Sequence, residues 1–546
     1  MARLPQAGSR VWVVVAILLA AALAWSQRFV QDDAYISFRY AANLAAGHGL
    51  VFNPGERVEG YTNLLWTLLV SIPMMADADP VLWAYLAGMA SFLSTLAIAY
   101  LLAVRVLKDR GAALLALAFL GTNRTFHSYA TGGLETPLHA LLVVASLYVG
   151  WRAFPEDGGP VRPRFLAYGS GLLGFAFLAR PDTGILAAVF GIAALVLLGR
   201  REASASRRVA GVAAAALPVA AILAGWVAWK LSFYGEVLPN TFFAKVSSGA
   251  NLARGAYYVY LFFFSYWLVP FPLLLAATFR QWLGRAQPAI TFLVAAIAAW
   301  LAWMVYVGGD FMEFRFLVPI LPFLAIVLAW QVTSVRVREL RWALAALVLA
   351  GSAHHAVSFG KSTFANEVAT FAELKEQVDG QRDGWVQVGR DLRRMLPPDA
   401  PGEPVRIATL PSGAIPYFSG LPTVDMLGLA DPQVAREGRP RPWAKPGHQR
   451  VATTEYLLQR GVNLVIGHPL LVPPGQPLPA EYTRRDLQPV FSDMLYASDP
   501  IPQDAAVLEI PLSDGRRLVA LYLVPSPRVD QAIALHGWVR HALLPG

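Results

Sequence analysis

LLWTLLVSIPMM, residues 64–75, is the apolar stretch on which the topology of this chain turns. As a helix it reaches only about 18 Å, at about 1.5 Å per residue. A hydrocarbon core is about 30 Å thick. Eleven longer apolar runs surround it: 11–26, 81–104, 111–128, 135–151, 165–179, 183–199, 209–231, 256–278, 288–307, 316–334 and 342–359. The basic residues between those runs decide whether 64–75 crosses. If it does not cross, and the N-terminus is cytoplasmic, one set of loops holds every basic cluster. These are Arg105, Lys108 and Arg110; Arg152, Arg162 and Arg164; Arg200, Arg201, Arg207 and Arg208; Arg280 and Arg285; and Arg336, Arg338 and Arg341. If it did cross, every cluster would lie outside, against the retention of Lys and Arg on the cytoplasmic side. Residues 64–75 are therefore expected at the outer interface, within a structured outer loop over 27–80. An odd number of spans then puts the segment after them outside.

Composition agrees with a chain solvated largely by lipid. Of 546 residues, 56% are hydrophobic and 15% charged, against about 25% charged in soluble domains, and the mean hydropathy is +0.46. The net charge of +9 lies largely in the loop clusters, so it reads as topology, not as a nucleic-acid surface. The absence of cysteine excludes disulfides, thiolate metal sites and a cysteine nucleophile. Arg3 and Arg10 precede the first apolar run, and no clean small-x-small cleavage site follows, so that run is expected to stay as a span.

From about Lys361 the composition changes. Residues 361–546 are rich in proline and charge and contain no span. Short β-runs at 405–410 and 462–466 alternate with helical patterns at 364–378 and 451–460. Runs 507–512 and 518–524 flank Ser513-Asp514-Gly515, a hairpin signal. The fold expected is a polytopic α-helical membrane domain, 1–360, of about eleven spans, followed by an α/β domain, 361–546.

The outer ends of the spans collect mixed charge: Asp32, Asp33, Arg39, Glu56, Arg57, Glu59, Glu135, Arg180, Asp182, Glu236, Lys245, Asp310, Glu313 and Arg315. Retention of basic residues inside does not require these outer cations. Either they pair with neighbouring carboxylates, or they bind an anion such as a lipid-linked phosphate. Asp32-Asp33 opens the helical run 34–46. One aspartate suffices to cap a helix; two adjacent ones repel, which raises one pKa. A carboxylate facing a crevice can serve as general base toward a hydroxyl. Gly132-Gly133-Leu134-Glu135 reads equally as a turn with a capping glutamate. Arg180-Pro181-Asp182 reads as a tight turn with an ion pair, and His139 as a packed residue within its span.

The order of several motifs carries a resemblance. DDAYISFRYAANLAAGHGLVFNPGERVEGYTNLLWTLL (32–69), GGLETPL (132–138), ARPD (179–182), LPNTFFAK (238–245), GGDFMEFRFLVPILP (308–322), GAIPYFSGLPTVDMLGLAD (413–431) and KPGH (445–448) resemble bacterial GT-C membrane glycosyltransferases. Within these they are similar to the cell-wall arabinofuranosyltransferases that use decaprenyl-phosphate arabinose. The resemblance implies a GT-C core, juxtamembrane helices in the first outer loop, a periplasmic C-terminal domain and catalysis at the periplasmic face of the bacterial inner membrane. It also implies a polyprenyl-phosphate sugar donor, arabinofuranose being the favoured sugar, and a cell-envelope glycan acceptor. The family's acidic pair falls on Asp32 and Asp33, and its second acidic position on Glu135.

The expected site therefore has Asp33, Asp32 and Glu135 as catalytic residues and Arg180, Lys245 and Arg315 on the donor phosphate. Arg39, Glu59, Tyr61, Asp182, Asn240, Asp310 and His448 are expected to bind substrate. A divalent cation, Mg²⁺ or Mn²⁺, at Asp32, Asp33 and Glu135 suits three hard oxygen ligands, though the spacing does not demand it. The competing function is a transporter or flippase of lipid-linked sugar. Such proteins place ionisable groups at mid-membrane and show broken helices in internal repeats. Here the charges gather at one face.

Overall fold

The computed structural model describes residues 6–246, 251–277, 288–361, 368–441, 447–479, 481–491 and 499–544. Helices occupy all eleven apolar runs, but not all are full-length spans. Six are long and apolar enough to cross alone: Pro80–Leu107, Thr183–Arg201, Ala205–Phe233, Pro288–Val307, Arg315–Ser334 and Arg338–Lys361. Run 256–278 is not one straight span. Leu252–Ser265 and Pro270–Ala277 meet at 104°, at a break where Trp267 has φ 56° and a proline opens the second helix. Arg124–Thr131 and Thr136–Trp151 are bent by 117° around Gly133, which has φ 78°. Counting each bent pair as one span gives up to eight among the described residues. The expected eleven spans all form as helices, of which six to eight qualify as spans among the described residues. Gln6–Ser26, Arg110–Thr122 and Pro163–Ala179 form as helices but do not pass as full-length spans by length and composition. The chain is a multi-pass membrane protein. The loop with Arg280 and Arg285 lies outside the described residues.

The short run forms helix Leu64–Met74, 11 residues, about 17 Å long, and too short to cross. It packs against helix Asp32–Ala45 and helix Pro80–Leu107. Trp66 and Val70, both fully buried, join a core with Val30, Ala34, Tyr35 and Phe38. That core continues into the C-terminal segment through Ala414, Ile415 and Leu421. Residues 27–80 thus form a wedge, with membrane helices on one side and the α/β unit on the other.

The C-terminal segment carries a mixed seven-stranded sheet. Its strand order is Thr423–Asp425, Ile407–Thr409, Leu464–Val472, Arg517–Tyr522, Ala506–Pro511, Val539–Leu544, Tyr482–Thr483. The first three strands are parallel, and the Ala506–Pro511/Arg517–Tyr522 pair is the antiparallel hairpin closed by Ser513-Asp514-Gly515. The wedge reaches the sheet edge through Asn53. Its side-chain oxygen accepts from the Thr423 amide (3.1 Å) and its nitrogen donates to the Thr423 carbonyl (2.9 Å).

Candidate active site

Helix Asp32–Ala45 is capped at its N-terminus by Gln31, and no side chain caps it. The two aspartates are therefore free of the local capping role and face different partners. Asp32 accepts from the backbone amides of Ala414 (2.7 Å) and Gly413 (3.1 Å), the first amides of helix Ala414–Ser419. Its carboxylate caps a helix of the C-terminal unit and is not presented to the cleft. A Cβ at Gly413 would meet the Asp32 backbone, so glycine is required for this approach. Burial pushes the Asp32 pKa up to about 7, against the pull of the Ala414 amide, with the Asp33 charge adding to the rise.

Asp33 faces a cleft of about 520 Å³ lined also by Glu135, Arg180, Lys245, Arg315 and Phe316. Its side chain is 29% exposed and lies 3.6 Å from the Arg315 guanidinium. Burial raises its pKa, while Arg315 and Lys245 oppose the rise. Arg315 is held from behind by Asp310, at 2.9 Å. Arg180 is held by Glu135 (3.0 Å) and by Asp182 (2.6 Å). Both guanidinia lie against the Phe316 ring, 4.6 and 5.1 Å from its centroid, an arrangement that fixes planar cations at little conformational freedom. Glu135 also accepts from Asn63 (2.9 Å), which is itself hydrogen-bonded to Ser37. The bend at Gly133 is what turns Glu135 into this network. Asn63 and Ser37, which sequence reasoning missed, line the cleft. The available signal was the position of Asn63 immediately before the short apolar helix.

Lys245 differs from the arginines. Among the described residues it has no hydrogen-bond or ion-pair partner, and its end is open to the cleft. Desolvation by the walls lowers its pKa and Arg315 adds to this, while Asp33 and Asp310 raise it. A cation left without a carboxylate is a ready anion ligand.

The remaining expected residues do other work. Arg39 is buried and donates to the Phe52 carbonyl (2.7 Å), the Leu421 carbonyl (2.8 Å), the Pro416 carbonyl and Asn53 (3.0 Å). It welds the wedge to the C-terminal unit. Glu59 is buried against Lys230 at 2.6 Å, and Asn240 donates to the Gly428 and Leu429 carbonyls; neither side chain lines the cleft. Tyr61 does line it. His448 packs against Phe311, 5.3 Å between ring centroids, and Lys445 lies outside the described residues. His139 is buried, 2.7 Å from the Thr183 hydroxyl. Asp425 is consumed by the Leu427 and Ala430 amides.

The trio expected to hold a divalent ion does not assemble as a ligand set. Asp32 points to the Gly413 and Ala414 amides and Glu135 to Arg180 and Asn63. Among the described residues no group of three His, Cys, Asp or Glu side chains comes together to hold a metal.

Residues 11–383 match the Alg9-like mannosyltransferase family, and residues 372–510 match a domain of unknown function, DUF8728. The chain is 31% identical over 365 residues to the terminal β-(1→2)-arabinofuranosyltransferase of Corynebacterium glutamicum, covering 60% of this chain and 51% of that one. It is 29% identical over 332 residues to the protein of the same name from Mycobacterium tuberculosis, covering 54% and 51%. The chain thus spans about half the length of the curated relatives it matches. Its fold is similar to that of ArnT from Cupriavidus metallidurans bound to undecaprenyl phosphate, with TM-score 0.57, 16% identity, and coverage of 95% of this chain and 99% of that one. It is also similar to the Archaeoglobus fulgidus oligosaccharyltransferase, with TM-score 0.52, 11% identity and coverage of 84% and 69%. With its model matched over residues 11–383, more than half of the sequence, the chain belongs to the Alg9-like mannosyltransferase family.

Proposed function

We propose that this chain transfers a sugar from a polyprenyl-phosphate donor to a hydroxyl of a cell-envelope glycan, at the periplasmic face of the bacterial inner membrane. The sugar is a pentofuranose such as arabinofuranose. The observation that carries this reading is the meeting of Asp33 and Lys245 in one cleft at the ends of the apolar helices. One is a partly exposed acid and the other a cation without a protein partner. The names of the curated relatives support arabinofuranose, although the family's name carries mannose. The undecaprenyl phosphate of the ArnT structure supports a lipid-linked donor. The basic clusters fall in alternate loops between the apolar runs, which supports a cytoplasmic side there and a site on the opposite face.

In the step proposed, the acceptor oxygen attacks the anomeric carbon. The bond from that carbon to the phosphate oxygen breaks, and its electron pair leaves on the phosphate. The acceptor proton goes to Asp33. Lys245, with Arg315 and Arg180 behind it, stabilises the charge that grows on the phosphate. Glu135 and Asp182 hold Arg180 in place, and Asp310 holds Arg315. The test is transfer by the purified chain in detergent from a synthetic polyprenyl-phosphate arabinofuranose, beside a nucleotide-linked sugar. Transfer from the lipid-linked donor alone is expected. Transfer from the nucleotide sugar, or from neither donor, contradicts the reading.

A further inference from the structure

A second polar cleft lies on the C-terminal domain, away from Asp33. It is an open cleft lined by Gln433, Glu437, Thr453, Glu455, Tyr456 and Gln459. Gln433 and Glu437 stand on helix Pro432–Glu437, and Glu455, Tyr456 and Gln459 on helix Thr454–Gln459 or at its end. Residues four apart share a helix face, so Gln433 with Glu437, and Glu455 with Gln459, form two facing polar ledges. Among the described residues these four side chains are exposed and make no hydrogen bond or ion pair within the chain.

The floor, by contrast, is fixed. The Tyr456 hydroxyl bonds Asp431 (2.8 Å) and accepts from Arg460 (2.8 Å), and Arg460 reaches Glu56 of the outer loop at 2.5 Å. The cleft thus has a fixed floor and polar walls whose side chains are free to bond a ligand.

The chemistry of the walls selects the ligand. Two carboxylates disfavour a phosphate or any other anion. No metal-holding group is present among the described residues. Amides and a hydroxyl can donate to and accept from sugar hydroxyls, and carboxylates accept from them; Val434 and Ala452 supply apolar surface for sugar C–H faces.

Position gives the site its meaning. Helix Pro432–Glu437 packs on helix Asn240–Val246, which carries Lys245. On that side Arg436 lies 4.3 Å from the Phe243 ring centroid and pairs with Glu236 at 2.6 Å. One helix therefore presents Gln433 and Glu437 to the polar cleft and braces the wall of the Asp33 cleft.

We propose that this cleft is a distal acceptor subsite that binds a neutral, polyhydroxylated stretch of the acceptor glycan, remote from the hydroxyl that reacts; the assignment rests on the glycosyl-transfer reading above. The test uses the chain of residues 1–546 in detergent and the double variant Glu437→Ala/Gln459→Ala, both exposed positions. Binding of a neutral linear arabinofuranosyl octasaccharide is measured by calorimetry without donor. The variant is expected to bind about tenfold more weakly, the scale of two lost hydrogen bonds. Its KM for the octasaccharide should rise about tenfold more than its KM for a monosaccharide glycoside. Equal binding by both chains, absence of octasaccharide binding by the unaltered chain, or an equal rise of both KM values would overturn the subsite. If the unaltered chain binds the octasaccharide but transfers from no lipid-linked donor, the transfer reading fails by itself. The calorimetric comparison then decides the glycan site separately.

Discussion

Asp32 and Ala414, 382 positions apart in the chain, are joined by a 2.7 Å hydrogen bond from the Ala414 amide to the Asp32 carboxylate. The contact makes the α/β domain part of the site's foundation. The aspartate beside Asp33 is committed to holding helix Ala414–Ser419 of the other domain.

Removing that cap should loosen the domain interface. Asp32→Ala leaves the Gly413 and Ala414 amides without their acceptor in a buried contact and should cost about 2 kcal/mol, read as a lowered Tm in detergent. Asp32 also sets a pH dependence. Its folded pKa, about 7, lies above its ordinary value of 3.8. Its stabilising share is full below pH 4 and is lost as pH rises through 7. Asp32→Asn does not titrate, so its Tm relative to the unaltered protein should rise between pH 5 and pH 8. A constant difference would contradict the buried acid.

Activity should follow a bell in pH. Asp33 must be ionised to accept a proton, and burial raises its pKa, so the acid limb of kcat/KM should lie above pH 3.8. Lys245 must be protonated to meet the phosphate, and its pKa is lowered, so the alkaline limb should lie below pH 10.5. Lys245→Met should remove the alkaline limb. A profile flat from pH 4 to pH 10 would contradict both assignments.

Lys245→Met should also lower kcat for transfer by about 10²–10³, the usual effect of losing one charge-stabilising group at a reacting centre. Lys245→Arg should restore part of it, because the cation is kept while its shape changes. An unaltered rate in Lys245→Met would assign the phosphate to the two arginines.

Topology can be read with single cysteines, since the chain has none of its own. A cysteine at Gln476 should react with an impermeant reagent on intact cells, and one at Ala205 only after the membrane is opened. The reverse pattern would invert the orientation.

Much of this was legible in the sequence because lipid leaves a strong signal. Each apolar run holds a helix among the described residues, and the 11 residues of helix Leu64–Met74 are too few to cross. The bend near Trp267 was not legible, because an apolar run looks continuous whether or not its backbone turns. The cleft was half legible. Asp33, Glu135, Arg180, Lys245 and Arg315 do line one cavity, each at or next to a helix end. Arg39, Glu59 and Asn240 carried the same signal of polar groups among apolar runs, yet their partners are Pro416, Lys230 and Gly428. A buried polar weld and a ligand contact look alike until the distant partner is known. The direction of Asp32 depended on a partner in another domain, which local spacing does not report.

The most direct test is turnover of a synthetic polyprenyl-phosphate arabinofuranose by Asp33→Asn beside Asp32→Asn. Asparagine matches the size of aspartate and caps about as well, but it cannot take a proton. Asp33→Asn should lose about 10²–10⁴ in rate with donor binding retained, and Asp32→Asn should keep most of its turnover, because one amide contact to Ala414 survives. Near-normal turnover by Asp33→Asn would contradict the account: Asp33 would then be structural, and the base would lie elsewhere.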